Sequence, residues 1–266
     1  MADSEMAESL QGRADNLASM SFLEHLEELR RRIVLSVVGV AAGFGVCWGF
    51  HEKIYQLMQR PIFTALAAEG MEQKLVYLNP IEPFNMYVKM ALIGGLFVAS
   101  PWVLYQVWCF ISPGLYRHEK RYVLPFLFST VALFCAGGWF GYRIVYPRAL
   151  EFLVHFGRQF QPMITISEYT QLFLSIVLGM GAIFELPVLI FFLALMGIVN
   201  AGWMWRNFRY ALLAIVVIAA IVTPTPDMIN MCIFAAPMVA LYLFSILIAY
   251  AVHPRQRRAR AAARNS

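Results

Sequence analysis

The sequence predicts an all-α, polytopic membrane protein with six transmembrane helices and with both termini in the cytoplasm. Of its 266 residues, 60% are hydrophobic and only 14% are charged, which is a far more apolar composition than that of a soluble domain. The apolar residues form six runs separated by loops. Fourteen of the 21 Lys and Arg residues fall in the segments that six spans would place on one side, as expected for cytoplasmic flanks.

The apolar runs divide the chain into three parts. Residues 1–19 are polar and acidic and lack the pattern of a secretory signal, so we expect a disordered cytoplasmic tail. Residues 20–252 form the membrane domain, and the arginine-rich residues 253–266 form a second cytoplasmic tail. The spans are predicted at about residues 33–50, 84–111, 122–146, 169–196, 209–222 and 228–252.

The first span follows an amphipathic stretch that we expect to lie along the cytoplasmic interface. Ser21 and Glu24 fit a capping box, and apolar residues then recur at helical spacing. Three consecutive arginines at 30–32 fix the cytoplasmic end of the span. Gly39 and Gly43 form a G-x-x-x-G pattern, which predicts the close approach of a neighbouring helix.

The second span is preceded by a long external loop, residues 51–83, which keeps a helical apolar stripe around Pro61 and is extended near residues 74–78. The segment 79–83 supplies a helix start, with prolines in the first turn and an acid near the N-terminus. Pro101 lies inside the span and predicts a kink, because it removes a backbone donor.

The third span leaves a basic cytoplasmic loop at residues 112–121 and is expected to end at Pro147. A second external loop, residues 148–167, finishes with Thr165 and Glu168 in a capping-box pattern. The fourth span contains Glu185, an acid deep within an apolar run, followed by Pro187.

The fifth span is too short to cross an undisturbed bilayer. Its apolar run of about 13 residues gives a helix of roughly 20 Å, against a hydrocarbon core of about 30 Å. We therefore expect local thinning of the membrane around it. A turn at residues 223–227 leads to the sixth span, in which Pro237 predicts a kink.

The residues do not point to an enzyme. The four cysteines lie singly in apolar runs, and the chain has no nucleophile elbow, zinc motif, P-loop or dinucleotide turn. We predict no cofactor and no metal, and the clustering of basic residues favours membrane topology over nucleic-acid binding. The carboxylates at membrane-facing positions remain as candidates: Glu28, Glu119, Glu185 and Asp227.

Four motifs resemble those of the TatC family, the core receptor subunit of the twin-arginine protein translocase. They are HLEELR at 25–30, FISPGLYRHEKR at 110–121, FELP at 184–187 and TPTPD at 223–227. The resemblance implies a Sec-independent translocase subunit of the bacterial inner membrane that recognises twin-arginine signal peptides and nucleates the complex for folded proteins. It also implies TatA-like and TatB-like single-span partners, contacts with membrane lipids, a homo-oligomer within the receptor complex, and energy from the proton gradient.

The resemblance also implies roles for individual residues. Glu28 and Glu119 would receive the paired arginines of the signal, since a carboxylate binds a guanidinium through two hydrogen bonds. Arg30 and Phe110 would support the loop and contact the signal peptide. The alternatives are an ordinary ion pair between Glu28 and Arg32 four residues on, and a solvated loop charge at Glu119.

Glu185 would face a hydrated intramembrane surface engaged by partners, because a carboxylate at membrane depth is costly. Its alternative role is to link helices by a hydrogen bond to Thr or Ser. Thr223, Pro224 and Asp227 would form a periplasmic turn that contacts partners. Two rival functions remain: a proton-coupled small-solute secondary transporter, in which Glu185 binds the proton, and a structural membrane scaffold without a substrate.

Overall fold

The computed structural model describes residues 2–111, 123–157, 159–160, 163–195, 197–222 and 228–264. Within these residues the chain is built of α-helices, joined at one place by a π-helical turn, Gly141–Val145. The α-helices are α1 Ala2–Trp48, α2 His51–Ala68, α3 Glu82–Ile111, α4 Val123–Phe140, α5 Tyr146–Phe156, α6 Ile166–Ile183, α7 Leu186–Leu195, α8 Ala201–Arg206, α9 Phe208–Val222 and α10 Met228–Arg264. The predicted all-α class is confirmed.

Six helical stretches are apolar enough to be membrane spans. Five of them are long enough to cross a bilayer: Glu24–Trp48, Glu82–Phe110, Leu127–Phe156, Ile166–Ala194 and Met231–Tyr250. The sixth is the shorter apolar helix Phe208–Ile221. The six-helix membrane fold is therefore confirmed, and the cytoplasmic location of the termini stays a prediction. We call the end that holds Glu28 the inner end and the end that holds α2 the outer end.

The first and last helices extend into the segments that the sequence predicts as tails. α1 begins at Ala2 and α10 continues to Arg264. The first extension contains several Ala, Glu and Leu residues and the second consists mainly of Ala and Arg, all of which favour helix. Each also continues an existing helix, so it needs no new nucleus.

The outer end is closed by a short β-bridge between the two external loops. Val76 pairs with Thr165 in parallel orientation. The amide of Val76 donates to the carbonyl of Ile164 at 2.9 Å, and the amide of Ile166 donates to the carbonyl of Val76 at the same distance. The extended stretch predicted around residues 74–78 thus joins the start of α6.

Two predicted helix starts are confirmed by their hydrogen bonds. The amide of Ile81 donates to the side-chain oxygen of Asn79 at 3.1 Å, directly before α3. The amide of Glu168 donates to the Thr165 hydroxyl at 3.3 Å, so Thr165 is the N-cap of α6. Both contacts satisfy amides that have no partner inside the helix.

The expected helix end at Pro147 is wrong. The helix continues from α4 through Gly141–Val145 into α5 and ends at Phe156. The amide of Tyr146 donates to the carbonyl of Gly141, five residues earlier. This wider turn lies directly before Pro147 and carries the chain past a residue that lacks an amide donor.

At two other prolines inside helices, Pro61 and Pro101, hydroxyl groups replace the backbone donors that proline lacks. Pro101 frees the carbonyl of Phe97, which accepts a hydrogen bond from Ser100 at 2.8 Å. Pro61 in α2 frees the carbonyl of Leu57, which accepts one from Tyr142 at 2.8 Å. Both helices continue through their prolines because the freed carbonyl groups are satisfied.

α1 lies along α3 at very short range, as the glycine pattern predicts. A methyl group added to Gly43 would come within 2.4 Å of the carbonyl oxygen of Gly95. The same addition to Gly39 would meet the indole of Trp102 at 2.3 Å, and that indole donates to the carbonyl of Leu35 at 2.9 Å. Small residues thus allow the two backbones to touch.

The main core lies toward the outer end, between the remaining helices. It is formed by buried residues of α2, α3, α5, α6, α9 and α10, among them Met58, Tyr146, Ile176 and Phe234. α4 packs against α6, and α10 packs against both α7 and α9. α9 has 15 residues, which corresponds to about 22 Å, so the prediction of a short fifth helix is confirmed.

Candidate functional site

The inner ends of α1 and α3 meet through a pair of rings. His25 of α1 stacks on Phe110 of α3 with 4.5 Å between the ring centroids and 23° between the ring planes. His25 is exposed and Phe110 is half-buried. The pair joins the HLEELR motif to the start of the segment that carries Glu119.

One helical turn further into the structure, three polar side chains form a chain of contacts. Arg32 lies 3.3 Å from Glu28, measured from a guanidinium nitrogen to the carboxylate Oε1. The other terminal nitrogen of Arg32 donates to the side-chain oxygen of Gln106 at 3.0 Å. Gln106 is only 2% exposed, so this bond satisfies a buried amide oxygen of α3.

The ion pair between Glu28 and Arg32 is half-buried. The side chains are 31% and 25% exposed, respectively. The alternative prediction of a pair four residues apart is therefore confirmed as a contact. Such pairs on a helix surface contribute about 0.3–0.5 kcal/mol. Among the described residues, Arg32 contacts one of the two carboxylate oxygens of Glu28, Oε1.

The structure brings some of the predicted site residues together. Glu28 and Phe110 lie on neighbouring helices at the same end, and Arg30 is exposed on α1 nearby. Glu119 falls between α3 and α4 in the sequence and lies outside the described residues. Thr223, Pro224 and Asp227, between α9 and α10, also lie outside them.

Two residues of this end, His25 and Gln106, had no predicted role. His25 belongs to the HLEELR motif, and its position three residues before Glu28 puts it on the same helix face. Gln106 precedes Phe110 by four residues, so it lies on the same face of α3. The signal available in the sequence was a single glutamine inside an apolar run, one helical turn before Phe110.

Glu185 lies at a break in the fourth span. Two residues, Phe184 and Glu185, separate α6 from α7, and Pro187 follows in the first turn of α7. The carboxylate oxygen Oε1 is buried without a hydrogen-bond partner among the described residues. The structure gives Oε1 no bond to a described Thr or Ser.

The described part of the chain contains no group of three His, Cys, Asp or Glu side chains able to hold a metal ion. The four cysteines, Cys47, Cys109, Cys135 and Cys232, all lie among the described residues, and no disulfide bond joins them.

The chain is similar to translocase proteins over most of its length. Residues 24–237 match the family model of the Sec-independent protein translocase protein (TatC). The TatC protein of Koribacter versatilis is 69% identical over 244 residues, which cover 92% of this chain and 90% of that protein. The TatC protein of Helicobacter pylori strain J99 is 37% identical over 231 residues, covering 86% and 89%.

The fold agrees with a crystal structure of the twin-arginine translocase receptor TatC. That structure superposes with a TM-score of 0.77 at 32% identity and covers 86% of this chain and 99% of the other. Proteins of this family are subunits of a protein translocase and not enzymes, and they cross the membrane several times. The chain belongs to the TatC family of Sec-independent protein translocase proteins.

Proposed function

We propose that this chain is the receptor subunit of a twin-arginine translocase, which binds the signal peptides of folded precursors and nucleates assembly of the complex. One observation supports this proposal above the others. The Glu28 carboxylate is half-exposed and holds only a weak local pair with Arg32 through one oxygen. Such a carboxylate is available to an incoming guanidinium.

The exchange of one arginine for another has a low cost in this arrangement. An arginine of the signal peptide can bind both carboxylate oxygens of Glu28, which lysine cannot do with the same geometry. Arg32 then gives up one contact but keeps its hydrogen bond to Gln106. The Arg32 side chain is 25% exposed, so water can replace the contact that it gives up and little of the gain is lost.

The neighbouring residues suit the rest of a signal peptide. Phe110, stacked on His25, offers an aromatic surface beside Glu28, and we assign the second arginine of the signal to Glu119. Arg30, which is exposed, supports the shape of this end.

The partners and the location follow from the same proposal. We assign the chain to the bacterial inner membrane, as a multi-pass protein among membrane lipids and as one of several copies in the receptor complex. TatA-like and TatB-like single-span proteins dock on it, with Thr223, Pro224 and Asp227 at the periplasmic turn among their contacts. The proton gradient supplies the energy.

Glu185 has a separate role in this proposal. It lies at the junction of α6 and α7, whereas Glu28 lies in α1, and one of its carboxylate oxygens is buried without a described partner. We assign it to a partly hydrated surface that TatA-like and TatB-like partners engage during transport. Glu185→Ala should leave cross-linking to the signal peptide intact and stop export of a folded precursor. Loss of that cross-link in the variant would contradict the assignment.

Signal binding can be tested by photocross-linking from position 27, which is exposed next to Glu28. Glu28→Gln should lower the yield with a twin-arginine signal by about tenfold, since a charge-assisted hydrogen bond contributes about 1.5–3 kcal/mol. Arg31→Gln is the matched control on the same helix and should change the yield less than about twofold. A twin-lysine signal should bind the wild type weakly. Equal yields in the two variants would refute the role of Glu28.

A further inference from the structure

A polar groove opens at the outer end, where α2 faces the π-helical turn. It has a volume of about 710 Å³. Its lining residues come from α2, the following loop and the turn: Gln56, Gln59, Arg60, Phe63, Thr64, Ala67, Gln73 and Arg143. Most of the side chains carry hydrogen-bond donors, and Phe63 and Ala67 are the apolar members of the lining.

The groove is cationic. Arg60 and Arg143 line it, and the described lining residues include no carboxylate. The ion pairs of the described part of the chain involve Glu28, Glu72 and Glu69 with other basic residues, so neither guanidinium is neutralised by them. Two unneutralised arginines beside three glutamine amides form a surface that attracts an anion.

The two arginines are held by a fixed contact. Tyr142, the neighbour of Arg143, donates a hydrogen bond to the carbonyl of Leu57, which precedes Arg60 by three residues. This bond replaces the backbone donor that Pro61 lacks. It connects the π-helical turn to α2 close to the backbone positions of both arginines.

Exposed apolar side chains lie within one helical turn of the two lining arginines along the same helices. Trp139, one helical turn before Arg143, is 61% exposed, and Leu57 and Ile144 are 46% and 43% exposed. Trp139 and Ile144 belong to the stretch Leu127–Phe156, which is long and apolar enough to cross a membrane. An exposed tryptophan beside basic residues is typical of the level of lipid headgroups.

We propose that this groove binds the phosphate of an anionic phospholipid through Arg60 and Arg143, with the acyl chains of that lipid along Leu57, Trp139 and Ile144. A guanidinium binds phosphate oxygens through two hydrogen bonds, and a groove lined by charges of one sign attracts a ligand of opposite charge. The apolar border favours a lipid over a free phosphate ion, which would gain nothing from those side chains.

Lipid retention by the purified full-length chain tests the proposal. Native mass spectrometry after incubation with equal amounts of phosphatidylglycerol and phosphatidylcholine should show preferential retention of phosphatidylglycerol. Arg60→Gln with Arg143→Gln should reduce that preference about tenfold, the equivalent of one charge-assisted hydrogen bond. Arg148→Gln is the matched control, since Arg148 is exposed in α5 and does not line the groove. It should retain the lipid as the wild type does.

Two further measurements separate the effect of charge from that of side-chain shape, and a bound lipid from a bound phosphate ion. Arg60→Lys with Arg143→Lys keeps the charge and should retain part of the preference, with circular dichroism and elution as for the wild type. Millimolar inorganic phosphate should not displace the lipid. Unchanged preference in the glutamine variant, an equal loss in Arg148→Gln, or displacement by phosphate alone would each overturn the proposal.

Discussion

At Pro101 the carbonyl of Phe97 depends on a side chain for its hydrogen bond. The Ser100 hydroxyl donates to it at 2.8 Å, and Ser100 is 2% exposed. Because little water reaches this position, the carbonyl would otherwise be a buried acceptor without a donor. One hydroxyl therefore allows a proline to remain inside a membrane span.

We expect Ser100→Ala to destabilise the protein by about 1–3 kcal/mol, the cost of leaving a buried acceptor unpaired. Unfolding in mixed detergent micelles measures this loss. Pro101→Ala supplies the control, since alanine restores the backbone donor to Phe97. In that background Ser100→Ala should cost at least about 1 kcal/mol less. Equal costs in both backgrounds would show that the hydroxyl stabilises α3 by some other contact.

The sequence predicts such contacts only when both partners are near each other in the chain. The pair of Glu28 and Arg32 was predictable because four residues separate them on one helix. The bond from Arg32 to Gln106 spans 74 positions, and the one from Tyr142 to Leu57 spans 85. Neither bond follows from local spacing in the sequence. The predicted site therefore lacked the hydrogen bond from Arg32 to Gln106, which joins α1 to α3.

At the scale of the helix, α1 and α3 are joined by glycines that permit backbone contact. Gly43 faces Gly95, and a side chain on either one would meet backbone atoms of the other helix at 2.4–2.5 Å. Backbone atoms do not rotate away as side chains do. The spacing of these two helices therefore depends on hydrogen atoms at both positions.

We expect Gly43→Ala to lower the free energy of unfolding by about 1–3 kcal/mol, since an added methyl in a filled interface forces the helices apart. Gly45→Ala on the same helix is the matched control, because nothing lies within 4 Å of the added methyl. That variant should be neutral or more stable, since alanine favours helix over glycine. The same micelle unfolding assay compares them, and a similar loss in both variants would rule out the interface as the cause.

The sequence predicted two helix starts correctly but one helix end wrongly. The starts at Asn79 and Thr165 follow from residue types that favour the beginning of a helix. The continuation past Pro147 does not, because it depends on a π-helical turn that packs against Ile176 and Met180 of α6. Gly141 allows that contact, and its partner is 35 or more positions away.

At the scale of the whole molecule, the six spans differ in length. α9 spans about 22 Å, whereas the other candidate spans contain 20–30 residues. Because α9 is shorter than the hydrocarbon core, which is about 30 Å thick, water has to come closer to the membrane centre at its ends than it does at the ends of a longer helix. We expect the membrane to be thinner beside α9 than beside α1 and α3.

This expectation can be measured by cysteine labelling after the four native cysteines are replaced by alanine. Tyr210→Cys and Ile221→Cys, exposed at 57% and 77%, should react with a membrane-impermeant maleimide added from opposite sides of a proteoliposome. The two positions are only about 17 Å apart along the helix. Val98→Cys, 57% exposed within α3, is the control and should stay unlabelled. Protection of Ile221→Cys from both sides would refute local thinning.

The architecture as a whole was largely predictable, because hydrophobic runs and charge bias determine how many helices cross a bilayer. How the helices group together was not. The main core joins residues of α2, α3, α5, α6, α9 and α10, and α6, α9 and the span in α10 are apolar over most of their surface. An apolar run carries no signal for which of its faces meets protein and which meets lipid.

The bridge between Val76 and Thr165 also has a consequence for the time course of biosynthesis. At about 5–20 residues per second, Val76 is synthesised on the order of 10 s before its partner. During that interval the first outer loop has no partner segment to pair with, and the Tyr169 donor to the Met58 carbonyl of α2 does not yet exist. The outer layer is therefore completed only when the fourth span inserts, and a chain stalled before that point would expose α2 to proteases.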